Sequence, residues 1–297
     1  MTPRPQPRVT IGVPVYNAES LLEQCLENLA AQTFADFKVV ILDNASTDGT
    51  EAIAKRFVAK DARFSYHRQP HNKGARQNFS DVLEMADTPY FMWRADDDRS
   101  DVNFLEEMVR LLDANPSAAV AVGKAVRERR GRQRVKRFPR RGPLEPAWLY
   151  RVRLLLRSRA GWIYGLFRTD ELRASLADVY AGYRHVTALD HLTLFPFLVT
   201  LRVVGSNRTA FVTGFVERPG SQKGGFLDPA KMQEVRDDFL RYCLSKLQRH
   251  LRAAAWGLPK PVLWLYADKS YRWVKIVNAR SRQLLGGKSQ TVTSKYD

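Results

Sequence analysis

The chain has 297 residues, of which 44% are hydrophobic and 27% charged, so it carries enough apolar material for a buried core and is not a disordered chain. Its 48 Lys and Arg against 31 Asp and Glu leave a net charge of +17, a field that favours polyanions, anionic membrane surfaces or phosphorylated substrates. Two cysteines, Cys25 and Cys243, give no sign of a disulfide framework and fit a reducing cytoplasm. From the N-terminus, Arg8–Val15 (RVTIGVPV) predicts a buried strand, with Asn17 as N-cap of a helix whose apolar face is Leu21, Leu22, Cys25, Leu26 and Leu29. Lys38–Leu42 predicts a second strand, and the polar turn Asp43–Thr50 leads to a helix through Ala52, Ile53 and Phe57. A short strand at Phe64–Arg68 follows, then a helix over Lys73–Met85 with Phe79, Val82 and Leu83 inward. Tyr90–Trp93 predicts a fourth strand, Val102–Ala114 a helix and Ala118–Val126 a fifth strand.

Strands alternating with helices at this spacing predict a mostly parallel sheet flanked by helices, whose ligands bind beyond the carboxyl ends of the strands. Three polar segments fall at such ends: Pro14–Asn17, Asp43–Asp48 and Asp96–Asp98. Beyond residue 126 the pattern is looser. Arg127–Arg141 is densely basic and breaks at Gly131, which suggests a hairpin. A helix starts at Leu149–Leu156, Gly161–Phe167 reads as a strand, and Val186–Thr200 as a helix bent or ended near Pro196. Strand-like pieces follow over Arg202–Arg218, and Asp228 to about Leu285 reads as helical with a break at Gly257–Pro259. The apolar stretch Leu192–Val204 is interrupted by Thr193, Pro196, Thr200 and Arg202 and is too short to cross a bilayer. Met1–Arg8 lacks the apolar core of a signal peptide. The expected location is the cytoplasm, at most peripheral at the inner face of the membrane.

Asp96, Asp97 and Asp98 are three adjacent carboxylates after a buried strand. Like charges this close repel and are costly to bury without a cation, and Mg2+ or Mn2+ with oxygen ligands would also take diphosphate oxygens. The alternative is a solvated acidic turn that caps the next helix.

IGVPVYN, LDNASTDGT, NKGARQN and the aspartate cluster followed by FLEEM occur in the order and spacing of family 2 glycosyltransferases, and residues 8–126 resemble that family well. The resemblance implies a GT-A fold and an inverting, non-processive enzyme that uses a nucleotide-sugar with Mn2+ or Mg2+. Carried over residue by residue, it implies that Pro14, Tyr16, Asn17, Asp43, Asn44 and Arg76 line the nucleotide site. Asn44 stands where relatives often carry an acid that contacts uracil, which leaves the base open. Asp96, Asp97 and Asp98 would hold the metal, with the register open, because relatives often read Asp-x-Asp-Asp where this chain has Arg94-Ala95-Asp96-Asp97-Asp98.

Inversion also needs a base for the acceptor hydroxyl. By resemblance this is Asp190 at the start of a helix, with a helix cap as the alternative role. Arg218 lies where relatives close a basic segment over the diphosphate. Lys269–Trp273 lacks the leading Gln of the processive synthases' Gln-x-x-Arg-Trp motif, and its Arg272-Trp273 is read as a chance match. The expected organisation is a catalytic domain over 1–225, with a nucleotide-sugar half at 8–126 and an acceptor half at 127–225, and a basic helical extension over 226–297. The acceptor class is a glycan or lipid-linked glycan of cell-surface polysaccharide synthesis. The C-terminal aromatics Trp256, Trp264, Tyr266, Tyr271 and Trp273 among basic residues suit an anionic membrane surface. A nucleic-acid-binding protein is disfavoured, because no zinc-finger, RNP or helix-turn-helix signature is present and an aspartate cluster repels phosphates unless a metal is bound. A nucleotidyltransferase would carry a Gly-rich basic loop after its first strand, unlike Pro14–Asn17. A catalytically inactive sugar-binding relative is the remaining alternative.

Overall fold

The computed structural model describes residues 6–129, 132–214, 229–250, 262–263 and 265–267. In chain order the elements are β1 (Val9–Val15), α1 (Leu22–Ala30), β2 (Phe37–Asp43), α2 (Thr50–Lys60), β3 (Phe64–Arg68) and α3 (Ala75–Glu84). Then come β4 (Tyr90–Trp93), β5 (Arg99–Ser100), α4 (Phe104–Ala114), β6 (Val120–Arg129), β7 (Arg132–Lys136), α5 (Ala147–Arg157) and a 3-10 turn at Ala160–Tyr164. The series closes with β8 (Leu166–Arg168), α6 (Thr169–Gly182), α7 (Leu189–Val199), β9 (Val203–Thr213) and α8 (Pro229–His250). The described residues fall into two compact units. One draws on the described residues within 6–140, 161–177 and 201–214, the other on 141–160, 178–200 and the described residues from 229 onward.

The first unit holds a nine-stranded sheet in the order β3-β2-β1-β4-β8-β6-β9-β5, with β7 paired to β6. β3, β2, β1 and β4 run parallel, as the strand–helix alternation predicts. The second half mixes directions: β8 is antiparallel to β4 and β6, while β9 is parallel to β6 and antiparallel to β5. Every residue of β1 is buried, which explains its unbroken apolar run instead of an alternating one. α1 sets Leu22, Cys25, Leu26 and Leu29 into the core with Val9, Ile11, Val39 and Ile41, and each such side chain contributes about 1.5–3 kcal/mol. Gly12 is required where the Phe91 ring crosses β1, because an added Cβ would lie 2.7 Å from it.

The basic stretch from Arg127 does fold back, with β6 and β7 paired antiparallel and Arg129 opposite Arg132. Gly161–Phe167 is not one strand. The chain makes a 3-10 turn first, and Gly165 then passes so close to the Ala121 carbonyl that a Cβ would sit 2.5 Å from it, so pairing begins only at Leu166.

In the second unit α7 carries Pro196 inside it and runs on to Val199. Nearly every residue of this helix is buried, and Tyr266 packs against Phe195 and Phe239 while its hydroxyl donates to the His191 carbonyl at 2.9 Å. α8 contributes Lys246, which is buried and paired with Asp178. No helix among the described residues is long and apolar enough to cross a membrane. Of the expected helix beyond His250, residues 262–263 and 265–267 are helical; the rest, with the Gly257–Pro259 break, Lys269–Trp273 and the aromatics other than Tyr266, lies outside the described residues.

Candidate active site

β2, β1 and β4 are adjacent and parallel, so their carboxyl ends share one edge of the sheet, and the three polar segments follow from those ends. Pro14 is buried inside β1 opposite Leu42, and Tyr16 is exposed just past the strand. Asn17 does not cap α1. Its φ is +48°, the helix starts five residues later at Leu22, and the cap position Leu21 makes no side-chain bond. Asn17 instead ties two turns together: its Oδ1 accepts the Thr47 N–H at 2.9 Å, and its own N–H donates to Ser46 Oγ at 2.9 Å. Ala18 next to it donates its N–H to Thr50 Oγ1 at 2.8 Å, so the chain after β1 is used up in cross-links before a helix can begin.

Asp43 is wholly buried at the end of β2. Its Oδ1 accepts from Ser46 N–H at 2.9 Å and Ser46 Oγ at 2.5 Å, and its Oδ2 from the Tyr66 hydroxyl at 2.7 Å and Arg68 at 3.0 Å. The Asn44 amide is also committed, donating to Asn72 Oδ1 at 2.7 Å and accepting the Lys73 N–H at 2.9 Å. Asp48 accepts from Glu19 N–H, Thr50 N–H and Thr50 Oγ1. Arg76 is half-buried on the first turn of α3, which starts after Gly74 in a conformation, φ +81°, that favours glycine.

Past β4 the chain turns, with the Asp98 N–H on the Ala95 carbonyl at 3.2 Å. Asp96 and Asp98 are only 6% and 4% exposed, and Asp97 is half-buried. Arg94 is fully buried beside them, donating to Asn28 Oδ1 at 3.0 Å and Ser100 Oγ at 2.7 Å, with its guanidinium 4.9 Å from the Phe211 ring centre. Burial, and then the neighbouring Asp97, push the Asp98 carboxyl up to about 8, against the pull of Arg94 and of the Gly214 N–H bond at 3.0 Å. The Arg94 guanidinium is itself pulled below its usual value by burial. Gly214 packs so tightly on the turn that a Cβ would lie 2.0 Å from the Asp97 carbonyl oxygen. The oxygen-only donors and their burial suit a hard divalent cation, which takes one or two carboxylates and completes its shell with substrate phosphates.

Among the described residues, one group of His, Asp and Glu already has its ligand atoms within 4.8 Å of one another, and it is His185, Glu234 and Asp238 in the second unit. Arg184 pairs with Glu234 and with Asp238 Oδ2, and Arg241 holds Asp238 Oδ1 at 2.6 Å. A metal there would have to displace two arginines, so the group is an ion-pair network.

Asp190 is the second residue of α7, and the cap position belongs to Ala188 at φ +66°. Its Oδ1 accepts the His191 N–H at 2.8 Å. Among the described residues the non-glycine residues at positive φ are Asn17, Ala45, Ala188 and Leu201; Ala45 follows Asn44, and Ala188 lies two residues before Asp190. Arg218 and the rest of Glu217–Ser221 lie outside the described residues, although Gly214, four residues before Arg218, is fixed on the aspartate turn. Asn28, Ser100 and Gly214 frame that turn and carry no sequence signal of their own, since they meet it from α1, β5 and the end of β9.

The chain matches Glycosyl transferase family 2 over residues 10–183, more than half its length. "Glycosyltransferase GlyA" of Streptococcus pneumoniae is 29% identical over 116 residues, 39% of this chain and 16% of that protein. A Campylobacter jejuni "GalNAc(5)-diNAcBac-PP-undecaprenol beta-1,3-glucosyltransferase" is 23% identical over 167 residues, 56% of this chain and 53% of that protein. The chain thus spans about half or less of these relatives' length. Among solved structures, S. aureus TarS 1-349 in complex with UDP-GlcNAc superposes with a TM-score of 0.63 at 16% identity, covering 94% of this chain and 76% of that one. Mannosyltransferase PcManGT from Pyrobaculum calidifontis, in complex with GDP-Man and Mn2+, gives 0.54 at 18% identity, covering 96% and 78%. The strand order, the edge that gathers the polar turns and these likenesses agree on a GT-A fold, and the chain belongs to glycosyl transferase family 2.

Proposed function

We propose that this transferase moves a sugar with inversion from a nucleotide-sugar to a glycan or lipid-linked glycan acceptor in cell-surface polysaccharide synthesis. The observation that carries the reading is the pair of buried carboxylates, Asp96 and Asp98, at the carboxyl edge of the parallel strands. Asp96, Asp97 and Asp98 would hold Mn2+ or Mg2+, which when bound offsets charge on the leaving nucleoside diphosphate. UDP-GlcNAc and GDP-Man in the structural neighbours support a nucleotide-sugar donor and leave its base open. Pro14, Tyr16, Asn17, Asp43, Asn44 and Arg76 shape the nucleotide end, with Asp43 serving through its four internal bonds as frame, and Arg218 pairs with phosphate oxygens. The catalytic portion in this reading is 1–225, its donor part 8–126 and its acceptor part 127–225. The basic hairpin over Arg127–Arg141 and the extension 226–297 bring the enzyme to an anionic membrane surface, where a lipid-linked acceptor resides.

Asp190 takes the proton from the acceptor hydroxyl as the sugar bond forms. The cap position of α7 belongs to Ala188, and Asp190 lies in the first turn. Asp190→Asn is close to isosteric, so we expect transfer to fall about 10²–10⁴-fold while donor affinity, measured by titration with nucleoside diphosphate and Mn2+, stays within a few-fold. Transfer within a few-fold of the parent would remove Asp190 from the role. A thermal-shift screen of UDP and GDP with and without Mn2+ tests the donor reading itself, and no stabilisation by any nucleoside diphosphate would sink it.

A further inference from the structure

The second unit carries an apolar knuckle at the entry to α5. Gly142–Glu145 is a tight turn, closed by the Glu145 N–H on the Gly142 carbonyl at 3.1 Å, with Pro143 at the position where its fixed φ stabilises such turns. Leu144 at the tip is 95% exposed, and Trp148 and Leu149 in the first helical turn are 51% and 41% exposed. Trp148 lies four residues after Leu144, so the three side chains lead the helix end into solvent together. Three large exposed apolar groups within six residues are unlike isolated surface leucines, which need no explanation.

The charge around the knuckle has one sign. Residues 141–160 hold five arginines and a single acid, Glu145. That acid is turned inward and neutralised, accepting from Arg153 at 2.5 Å and from the Gly142 N–H at 3.2 Å. Arg141 and Arg157 are exposed and make no ion pair with an acid among the described residues. An apolar tip containing Trp and Leu, preceded by the exposed Arg141, followed along α5 by the exposed Arg157 and stiffened by Pro143 and Pro146, has the chemistry of an interfacial anchor. Trp seats at the headgroup level, Leu reaches the acyl boundary and Arg meets lipid phosphate.

We infer that Leu144, Trp148 and Leu149 insert into the surface of an anionic bilayer and dock the second unit there. This extends the membrane reading above but turns on Leu144, Trp148 and Leu149, which lie outside the basic segments of that reading, so the two can fail separately. The test is flotation of the full chain with phosphatidylcholine vesicles with or without phosphatidylglycerol, for the parent and for L144S/W148S and L149S, with circular dichroism to show that each variant is folded. L149S keeps the turn intact and serves if the double variant misfolds. The expected result is parent flotation that requires the anionic lipid and weakens with salt, and a loss of partitioning of about tenfold or more in the double variant and less in L149S. Folded variants that float like the parent would overturn the knuckle and leave docking to the basic segments, while a parent that does not float would overturn both. Sedimentation velocity run alongside covers the other occupant: a parent dimer that the variants lose, with flotation unchanged, would assign the patch to a second copy of the chain and overturn the proposal.

Discussion

At the end of β2, Asp43 is completely buried, yet each of its oxygens meets two donors, so its charge is satisfied within the fold. At the end of β4, Asp98 is buried beside Asp96 and Asp97 and feels the buried Arg94 guanidinium, whose own hydrogen bonds go to Asn28 and Ser100. The two turns hold the same residue type at the same edge of the same sheet. One is saturated with donors as a structural joint, while at the other burial and the neighbouring Asp97 push the Asp98 carboxyl up to about 8, so that charging it is costly without a cation. An acidic turn at a strand end is therefore not in itself a binding group. What distinguishes a site is the donor inventory around each oxygen.

The sharpest way to break this comparison is Asp96→Asn/Asp98→Asn. We expect transfer to fall about 10³-fold or more, the order of several kcal/mol of metal-assisted stabilisation, with Mn2+-dependent donor affinity lost in parallel. Donor titrations that keep their full Mn2+ response would refute the assignment. Next in size is Asp43→Ala, which strands the Ser46 N–H and the Tyr66 hydroxyl. It should lower unfolding free energy by about 2–4 kcal/mol in urea titrations while the folded fraction keeps a Mn2+-dependent thermal shift. Unchanged stability would mean that Asp43 is free for ligand after all.

The smallest effect has the opposite sign. A carboxyl that titrates near 8 when folded and near about 3.9 when unfolded costs stability as pH rises through that window, so at neutral pH its ionisation opposes folding. Asp98→Asn removes that cost and its side-chain oxygen still accepts from Gly214. In metal-free buffer at pH 7 its Tm should rise by a few degrees, with no gain at pH 4, where the parent carboxyl is protonated in the fold. A fall in Tm at pH 7 would show that Asp98, like Asp43, is a structural joint.

Much of this was legible beforehand. β1, β2, β3 and β4 and the helices between them follow from apolar runs and 3.6-residue periodicity, and the aspartates stand out because three adjacent carboxylates are rare after a buried strand. Asn17 misled because an Asn before an apolar helix is a common cap, whereas here the loop's hydrogen bonds are taken by Ser46 and Thr47, about thirty residues away. Gly161–Phe167 misled because a run of aromatic and aliphatic residues fits a strand or a buried turn equally well, and only the close approach of Ala121 to Gly165 separates them.

By itself the sequence determined which segments are strands and helices in the first half, the family, and the three turns that meet at one edge, because these depend on local periodicity and on motifs of adjacent residues. The tertiary structure decided that Asp43 is saturated with donors, that Arg94 lies buried beside the aspartates, that Gly214 braces them, and that Leu144, Trp148 and Leu149 face solvent together. Each of those depends on which distant backbone donors and side chains the fold brings within about 3 Å, or keeps away, and hydrogen bonds and burial are set by that distance and not by position along the chain.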